Sequence, residues 1–198
     1  FNANPKDDVL SSDWRPSIQR FAKFEWMRDI GVIRYSSTED IQILQEFVSG
    51  VIKQQTYEFV NPRTGRINRK RFPDINGKAQ TAAELAFKFA ELGPVLVFCS
   101  QPNFVEAVAR SLEMRLDLAR KRDEQIPGYF LMSSPPRSVL SAQEWLSDNH
   151  ATTKLLKSGI AIHHGNLPDA LRKSIELDFR DRQYRILIAT NTLAQGVN

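Results

Sequence analysis

The sequence predicts an α/β domain built on a parallel sheet, and three observations carry that expectation. Val95–Cys99, Ile160–His163 and Arg185–Ala189 are short runs rich in β-branched and apolar residues, the pattern of strands buried on both faces. The segments between them are long and repeat their apolar residues at helical spacing, which fits crossover helices that return the chain for parallel pairing. Each run also ends in short polar residues: Ser100-Gln101, His164-Gly165-Asn166 and Thr190-Asn191-Thr192. In parallel sheets such carboxyl ends share one edge, and ligands bind there.

The elements follow in order. The opening, to about residue 36, is mixed and irregular, with Phe21, Phe24 and Trp26 among charged residues and a short strand at Val32–Tyr35. Ser37 can cap a helix with Glu39 and Asp40 in its first turn, and Ile41, Leu44, Val48, Val51 and Ile52 then recur at helical spacing. Tyr57–Val60, a turn through Asn61-Pro62-Arg63-Thr64-Gly65, and Arg66-Ile67 predict a hairpin. It carries Arg63, Arg66, Arg69, Lys70 and Arg71 with no acid between them, which reads either as a solvated loop or as a set of phosphate contacts. Ala82, Leu85, Ala86, Phe89 and Leu92 form the apolar face of a helix stopped by Gly93-Pro94. Phe104, Val105, Val108, Leu112, Leu116 and Ala119 form the stripe of the next helix. Residues 128–138 connect to a helix that Ser141 and Glu144 begin as a capping box and Gly159 ends. Pro168 opens a last helix carrying Leu171, Ile175 and Phe179.

Composition narrows the function classes. The chain has 198 residues, 41% hydrophobic and 25% charged, an ordinary globular balance with no run long enough for a membrane helix. Its single cysteine, Cys99, permits no internal disulfide and fits an intracellular, cytoplasmic setting. The three histidines and the cysteine lack zinc spacing, and no metal ligands are expected. A net charge of +4 permits a polyanionic partner without requiring one. The first residues have no Met and no signal pattern, and the last have no tail, so both ends read as cuts in a longer protein.

The polar row at the strand ends either meets water or binds phosphates without reading sequence. A family resemblance bears on that choice. Val95–Ser100 looks like helicase motif IV. Ile160–Leu167, followed by Arg172, Ile175, Glu176 and Phe179, resembles the His-His block and following helix of superkiller-type DExH helicases. Ile186–Asn198 closely resembles their motif V, and Asp13-Trp14-Arg15-Pro16 is similar to the segment that enters their second motor domain. The sequence is therefore identified as similar to the C-terminal RecA-like domain of a superfamily 2 (DEAD/DExH-box) helicase, ending at motif V.

The resemblance runs roughly from Lys78 to Asn198, and the chain is expected to divide into residues 1–36, leading in from a preceding motor domain, residues 37–77, a helix plus the basic hairpin or loop insertion without a counterpart in the family, and residues 78–198, an incomplete C-terminal domain. It also implies roles. Ser100, Gln101, Thr190 and Asn191 would hold the backbone of a tracked strand, with His164 and Gly165 beside it. Gly196 and Asn198 would face ATP held mainly by the N-terminal RecA-like domain of the same protein, the other expected partner besides DNA or RNA. The family has Ala-Gly where this chain has Gly165-Asn166, and often Ser in place of Asn191, and both changes keep the groups small or polar. His163 reads as a structural, inward-facing ring.

The chain lacks a Gly-x-x-x-x-Gly-Lys-Ser/Thr loop, and its Asp123-Glu124 follows no apolar strand and reads as surface. ATP, Mg2+ and the catalytic groups would then belong to the full-length protein, with none bound to this chain and no ATPase activity in isolation. The alternative is a non-catalytic RecA-like module that binds nucleic acid or regulates. A Rossmann-type enzyme is disfavoured by the absence of a Gly-x-Gly-x-x-Gly turn.

Overall fold

The computed structural model describes residues 21–36, 44–61, 63–131 and 134–191. In chain order the elements are strands β1 (Ala22–Met27), β2 (Ile30–Ser36), β3 (Leu44–Lys53), β4 (Gln55–Val60) and β5 (Ile67–Phe72), helix α1 (Lys78–Phe89), strand β6 (Val95–Phe98), helices α2 (Pro102–Lys121), α3 (Arg137–Leu146) and α4 (Ala151–Lys157), strand β7 (Ile160–His163), helix α5 (Asp169–Arg180) and strand β8 (Ile186–Ala189). Strands β6, β8 and β7 form a parallel sheet in that spatial order, with Val95 and Ile160 both opposite Ile186, and Phe98 and His163 both opposite Ala189. The expected parallel α/β plan is therefore present, with helices packed against the sheet and against one another.

Strands β7 and β8 are buried along their whole length, as continuous apolar runs require. Strand β6 departs from that expectation. Val95 and Val97 pack on the core, while Leu96 and Phe98 on the other face are 44% and 54% exposed. An apolar run of four residues cannot by itself distinguish burial on both faces from burial on one.

The core is closed by Ala83, Ala86 and Phe87 of α1, by Val105, Val108, Leu112 and Leu116 of α2, and by Leu171 and Ile175 of α5. The predicted stripe of α2 holds except at Phe104, which is 49% exposed. On α1 the buried face is rotated from the predicted one, and Leu92 lies beyond the helix at 84% exposure. The node between these helices is polar. Arg115 pairs with Glu84 and Glu124, each at 2.9 Å, and its guanidinium lies 4.3 Å from the centre of the Phe87 ring. Glu84 thus joins α2 to α1, while Glu124, read as surface from the sequence, is half-buried and pairs with Arg115 from just beyond the end of α2.

The capping box at Ser141 is corrected by the structure. One predicted helix is two: α3 starts at Arg137 after Pro136, so Ser141 lies inside it, and α4 is capped by the imidazole of His150, which accepts from the Thr152 N–H. The break lies at Ser147, whose φ of 87° no helix accommodates. The buried Asp178 carboxylate of α5 accepts from the Ser138 N–H at 2.7 Å, which serves the first turn of α3 from another element. Gly159 ends α4 at φ 78°, as its position predicts.

Two expectations for the N-terminal part are also corrected. Within the opening segment, residues 21–36 are regular: β1 and β2 form an antiparallel hairpin with Arg28-Asp29 between Met27 and Ile30, and β2 continues the sheet to β3. The helix expected across Leu44, Val48, Val51 and Ile52 is strand β3. Its register explains the misreading. Val32 faces Ser49 while its neighbour Gly31 faces Ile52, so Gly50 and Val51 are extra residues in a bulge, with Gly50 at φ 72°. The bulge breaks the two-residue alternation and leaves spacings of three and four that imitate a helix. Ser37, Glu39, Asp40 and Ile41, and likewise Asp13–Pro16, lie outside the described residues.

The small antiparallel sheet docks on α1, where the Trp26 indole N–H donates to the Thr81 hydroxyl at 3.2 Å. Phe24 packs edge-on to Trp26 with ring centres 5.3 Å apart. A Cβ at Gly31 would meet the Phe24 ring at 2.6 Å and Ile52 Cγ1 at 2.7 Å. Gly31→Ala should therefore cost about 1–3 kcal/mol of stability through overpacking, measured by urea unfolding; an unchanged midpoint would show that the sheet repacks freely.

Candidate nucleic-acid interface

The parallel register determines where the polar strand ends fall. The Cys99 N–H donates to the Ala189 carbonyl at 2.8 Å, and the Thr190 N–H donates to the His163 carbonyl at 3.0 Å. Ser100, His164 and Thr190 consequently leave the sheet along one edge. Ser100, Gln101, Gly165 and Asn191 are exposed there, whereas His164 is 4% and Thr190 3% exposed. The six residues singled out from the sequence are thus brought to one edge, four of them at the surface and two beneath it. Thr190 is anchored in the sheet through its backbone. Gly196 and Asn198 lie outside the described residues.

Two helices begin at this edge. Gln101 precedes α2 in extended conformation and Pro168 precedes α5, and neither first turn has a side-chain cap. Proline at the first position of α2 removes one N–H that would have no partner there, and the rest of that turn presents the positive end of a 20-residue helix. Exposed hydroxyl and amide side chains beside an uncapped helix N-terminus suit an anionic backbone.

The histidine pair lies at the sheet edge beside α5. His163 is 1% exposed and its Nε2 lies 2.7 Å from Glu176 Oε1. An ionised carboxylate only accepts, so the neutral ring carries its proton on Nε2. Burial pushes the His163 imidazole below its ordinary value of 6.5; the Glu176 hydrogen bond and charge oppose that shift, and the Arg172 guanidinium adds to it. Burial also lowers His164, opposed by Glu106, with His163 and Arg172 adding to the fall. His164 Nδ1 and Arg172 Nε are buried without a hydrogen-bond partner among the described residues. Arg172 also pairs with Asp169 in the first turn of α5. Sequence reasoning placed His163 inward but did not single out Glu176 as its partner; the spacing of 13 residues across a strand, a turn and a helix gives no local periodic signal.

The basic stretch lies apart from this edge. Arg63, Arg66, Arg69, Lys70 and Arg71 are all exposed on the β4–β5 hairpin and its turn. The hairpin is anchored on the second half of α2: Arg122 contacts the Gln55 side chain and the Thr56 carbonyl, and the Tyr57 hydroxyl lies 3.7 Å from the Met114 sulfur.

The geometry defines an α/β domain of RecA-like plan, with polar residues gathered at the carboxyl ends of a parallel sheet. Residues 116–198 match the helicase conserved C-terminal domain. Over 193 residues the chain is 30% identical to the Hachiman protein HamB of Bacillus cereus, covering 94% of this chain and 16% of that protein. It is 26% identical over 175 residues to the ATP-dependent DNA helicase Hel308 of Thermoplasma acidophilum, covering 86% and 23%. It is 31% identical over 108 residues to the human exosome RNA helicase MTR4, covering 53% and 10%. The chain thus carries a helicase C-terminal domain of the superfamily 2 type, and it spans less than a quarter of the length of these three relatives. Among the described residues no helix is long and apolar enough to cross a membrane, and no three His, Cys, Asp or Glu side chains are placed to hold a metal ion.

The two depressed imidazoles make stability depend on pH in a defined direction. Each ring is neutral in the fold and binds its proton more readily once unfolded, so the stabilisation is complete above about pH 6.5 and is lost as pH falls below it. The urea midpoint should drop on going from about pH 7.5 to about pH 5.5. His163→Gln keeps a donor for Glu176 but does not titrate, and should flatten that drop; an equal drop in both proteins would remove His163 from the account.

Proposed function

We propose that this chain is the second motor domain of an ATP-dependent nucleic-acid helicase or translocase of the superkiller type, and that its sheet edge grips the backbone of the tracked strand. The observation that carries this reading is the uncapped start of α2 at the carboxyl edge of the parallel sheet, beside exposed Ser100, Gln101, Gly165 and Asn191. Their side chains are uncharged and short or absent, apart from the longer amide of Gln101, and they are suited to phosphate and sugar contacts. His164 and Thr190 lie beneath that surface and position the loops carrying it. The nucleic acid is DNA or RNA, and the edge chemistry favours neither.

ATP with Mg2+ would supply the phosphoryl-transfer chemistry in the full-length protein. Gly196 and Asn198 are proposed to face that nucleotide across the cleft to the N-terminal motor domain. A non-catalytic module that binds nucleic acid or regulates is the alternative, and a phosphate loop elsewhere in the full-length protein would decide against it.

Ser100→Ala and Gln101→Ala in the full-length protein should each weaken single-strand binding severalfold, since one neutral hydrogen bond contributes about 0.5–1.5 kcal/mol. Sequence preference should not change. Fluorescence anisotropy with single-stranded DNA and RNA checks this, and unchanged affinity in the double variant would refute the track. The isolated chain should release no phosphate from ATP in a malachite-green assay with either polymer; turnover that follows the purified chain would overturn the assignment of catalysis to the rest of the protein.

A further inference from the structure

We infer that the β4–β5 hairpin is a second nucleic-acid contact, a rigid arm that holds double-stranded nucleic acid through its phosphates. Strand alternation gives the ribbon two unlike faces. Gln55, Tyr57 and Phe59 pair across to Phe72, Lys70 and Asn68 on the face held to the body. There Phe72 is 4% exposed, Tyr57 reaches Met114, and the Lys70 ammonium lies 4.5 Å from the centre of the Phe59 ring. The opposite face carries Thr56, Glu58 and Val60 against Arg71, Arg69 and Ile67, and all six are exposed.

The turn is ordered by its own hydrogen bonds. The Asn61 carboxamide oxygen accepts from the Arg63 and Thr64 N–H groups, the Asn61 N–H donates to the Arg66 carbonyl, and Gly65 supplies φ 65°. Arg63 and Arg66 therefore project from a fixed turn.

Charge and shape together select the ligand. Arg69 pairs with Glu58 at 2.9 Å, whereas Arg63, Arg66 and Arg71 face no carboxylate within ion-pair distance among the described residues. Guanidinium groups on a ribbon end are matched by regularly spaced phosphates. Beside them Val60 and Ile67, a cross-strand pair, are 62% and 66% exposed. Single strands are usually gripped by aromatic platforms, but the two aromatic rings of β4 lie on the inner face, 6.5 Å apart. The outer face offers arginine and branched aliphatic groups on a two-stranded ribbon, which is narrow enough for a duplex groove. The arm is anchored on the second half of α2, while the proposed track lies at that helix's first turn, so the two contacts are separate.

The proposal deepens the motor reading, and the test separates the two. In the full-length protein, Arg63→Ala/Arg66→Ala/Arg71→Ala should lower affinity for a short blunt duplex on the order of tenfold at moderate salt. It should reduce the slope of log affinity against log salt by about 2 to 3, and leave single-strand affinity within about twofold. Val60→Ser/Ile67→Ser should weaken duplex binding without changing that slope. These side chains are exposed, so circular dichroism and the unfolding midpoint should match the parent. Unchanged duplex affinity and slope in the arginine variant would overturn the arm, as would a parent that does not bind duplex, or binding of an acidic protein but not duplex. Loss of duplex binding in the arm variant supports the arm even where Ser100 and Gln101 variants leave single-strand binding intact and so refute the track.

Discussion

Strand β8 lies between β6 and β7 and is parallel to both, and its four residues are closed off from solvent on either side. That position constrains everything around it. A buried strand must satisfy its backbone groups within the sheet, and β8 does so through register with both neighbours. The register sets Phe98, Ala189 and His163 level, so the three chains leave the sheet together and their next residues share an edge. Slipping one strand by a single residue would exchange the side chains of its two packed faces and put its polar end out of line with the other two. Burial of Ile186, Leu187 and Ile188 therefore fixes the placement of Ser100, His164 and Thr190 as much as any contact those residues make themselves.

The chemistry of the edge follows from the same restraint. Helices that cross over in a parallel sheet start near the carboxyl ends of the strands, which brings the first turns of α2 and α5 beside the polar residues. The edge thereby combines backbone N–H groups, hydroxyls and amides without carrying a formal charge of its own at Ser100, Gln101 or Asn191. Below it, the His163–Glu176 bond ties β7 to α5 and Asp178 ties α5 to α3. Burial keeps both imidazoles neutral, so the layer under the surface is stiffened by hydrogen bonds.

The legible part of the molecule was the part in which one physical pattern dominates a segment. Ile160–His163 and Ile186–Ala189 have no polar residue before their ends, and Leu171, Ile175 and Phe179 at spacing four after Pro168 span a segment too long for a strand and fit a helix. Where two patterns coincide, the sequence misleads. The bulge at Gly50 and Val51 converts strand spacing into helical spacing. The β1–β2 hairpin alternates Lys23, Phe24, Glu25 and Trp26 as a strand should, but its turn is Arg28-Asp29 without glycine or asparagine, so the usual turn signal is missing. The capping box at Ser141 has the right letters inside a helix already begun, because Asp178, distant in sequence, serves the earlier start. At the candidate site, the row of polar strand ends was legible; burial of Thr190 and His164 was not, since depth depends on loops and helices that no local pattern specifies.

Helix α2 connects the two surfaces. Its apolar stripe, Val105, Val108, Leu112 and Leu116, is locked into the core, and Arg115 binds it to α1 through the Glu84 carboxylate. A helix held along its length on one side transmits position and not flexibility. Its first turn stands at the sheet edge, and Met114 in its second half and Arg122 just beyond its end carry the β4–β5 ribbon. A displacement of the sheet edge relative to bound nucleic acid must therefore move the base of the ribbon with it. If the chain acts as the proposed motor domain, the proposed strand and duplex contacts, joined by one rigid helix, would advance as a unit, with a spacing set by the fold.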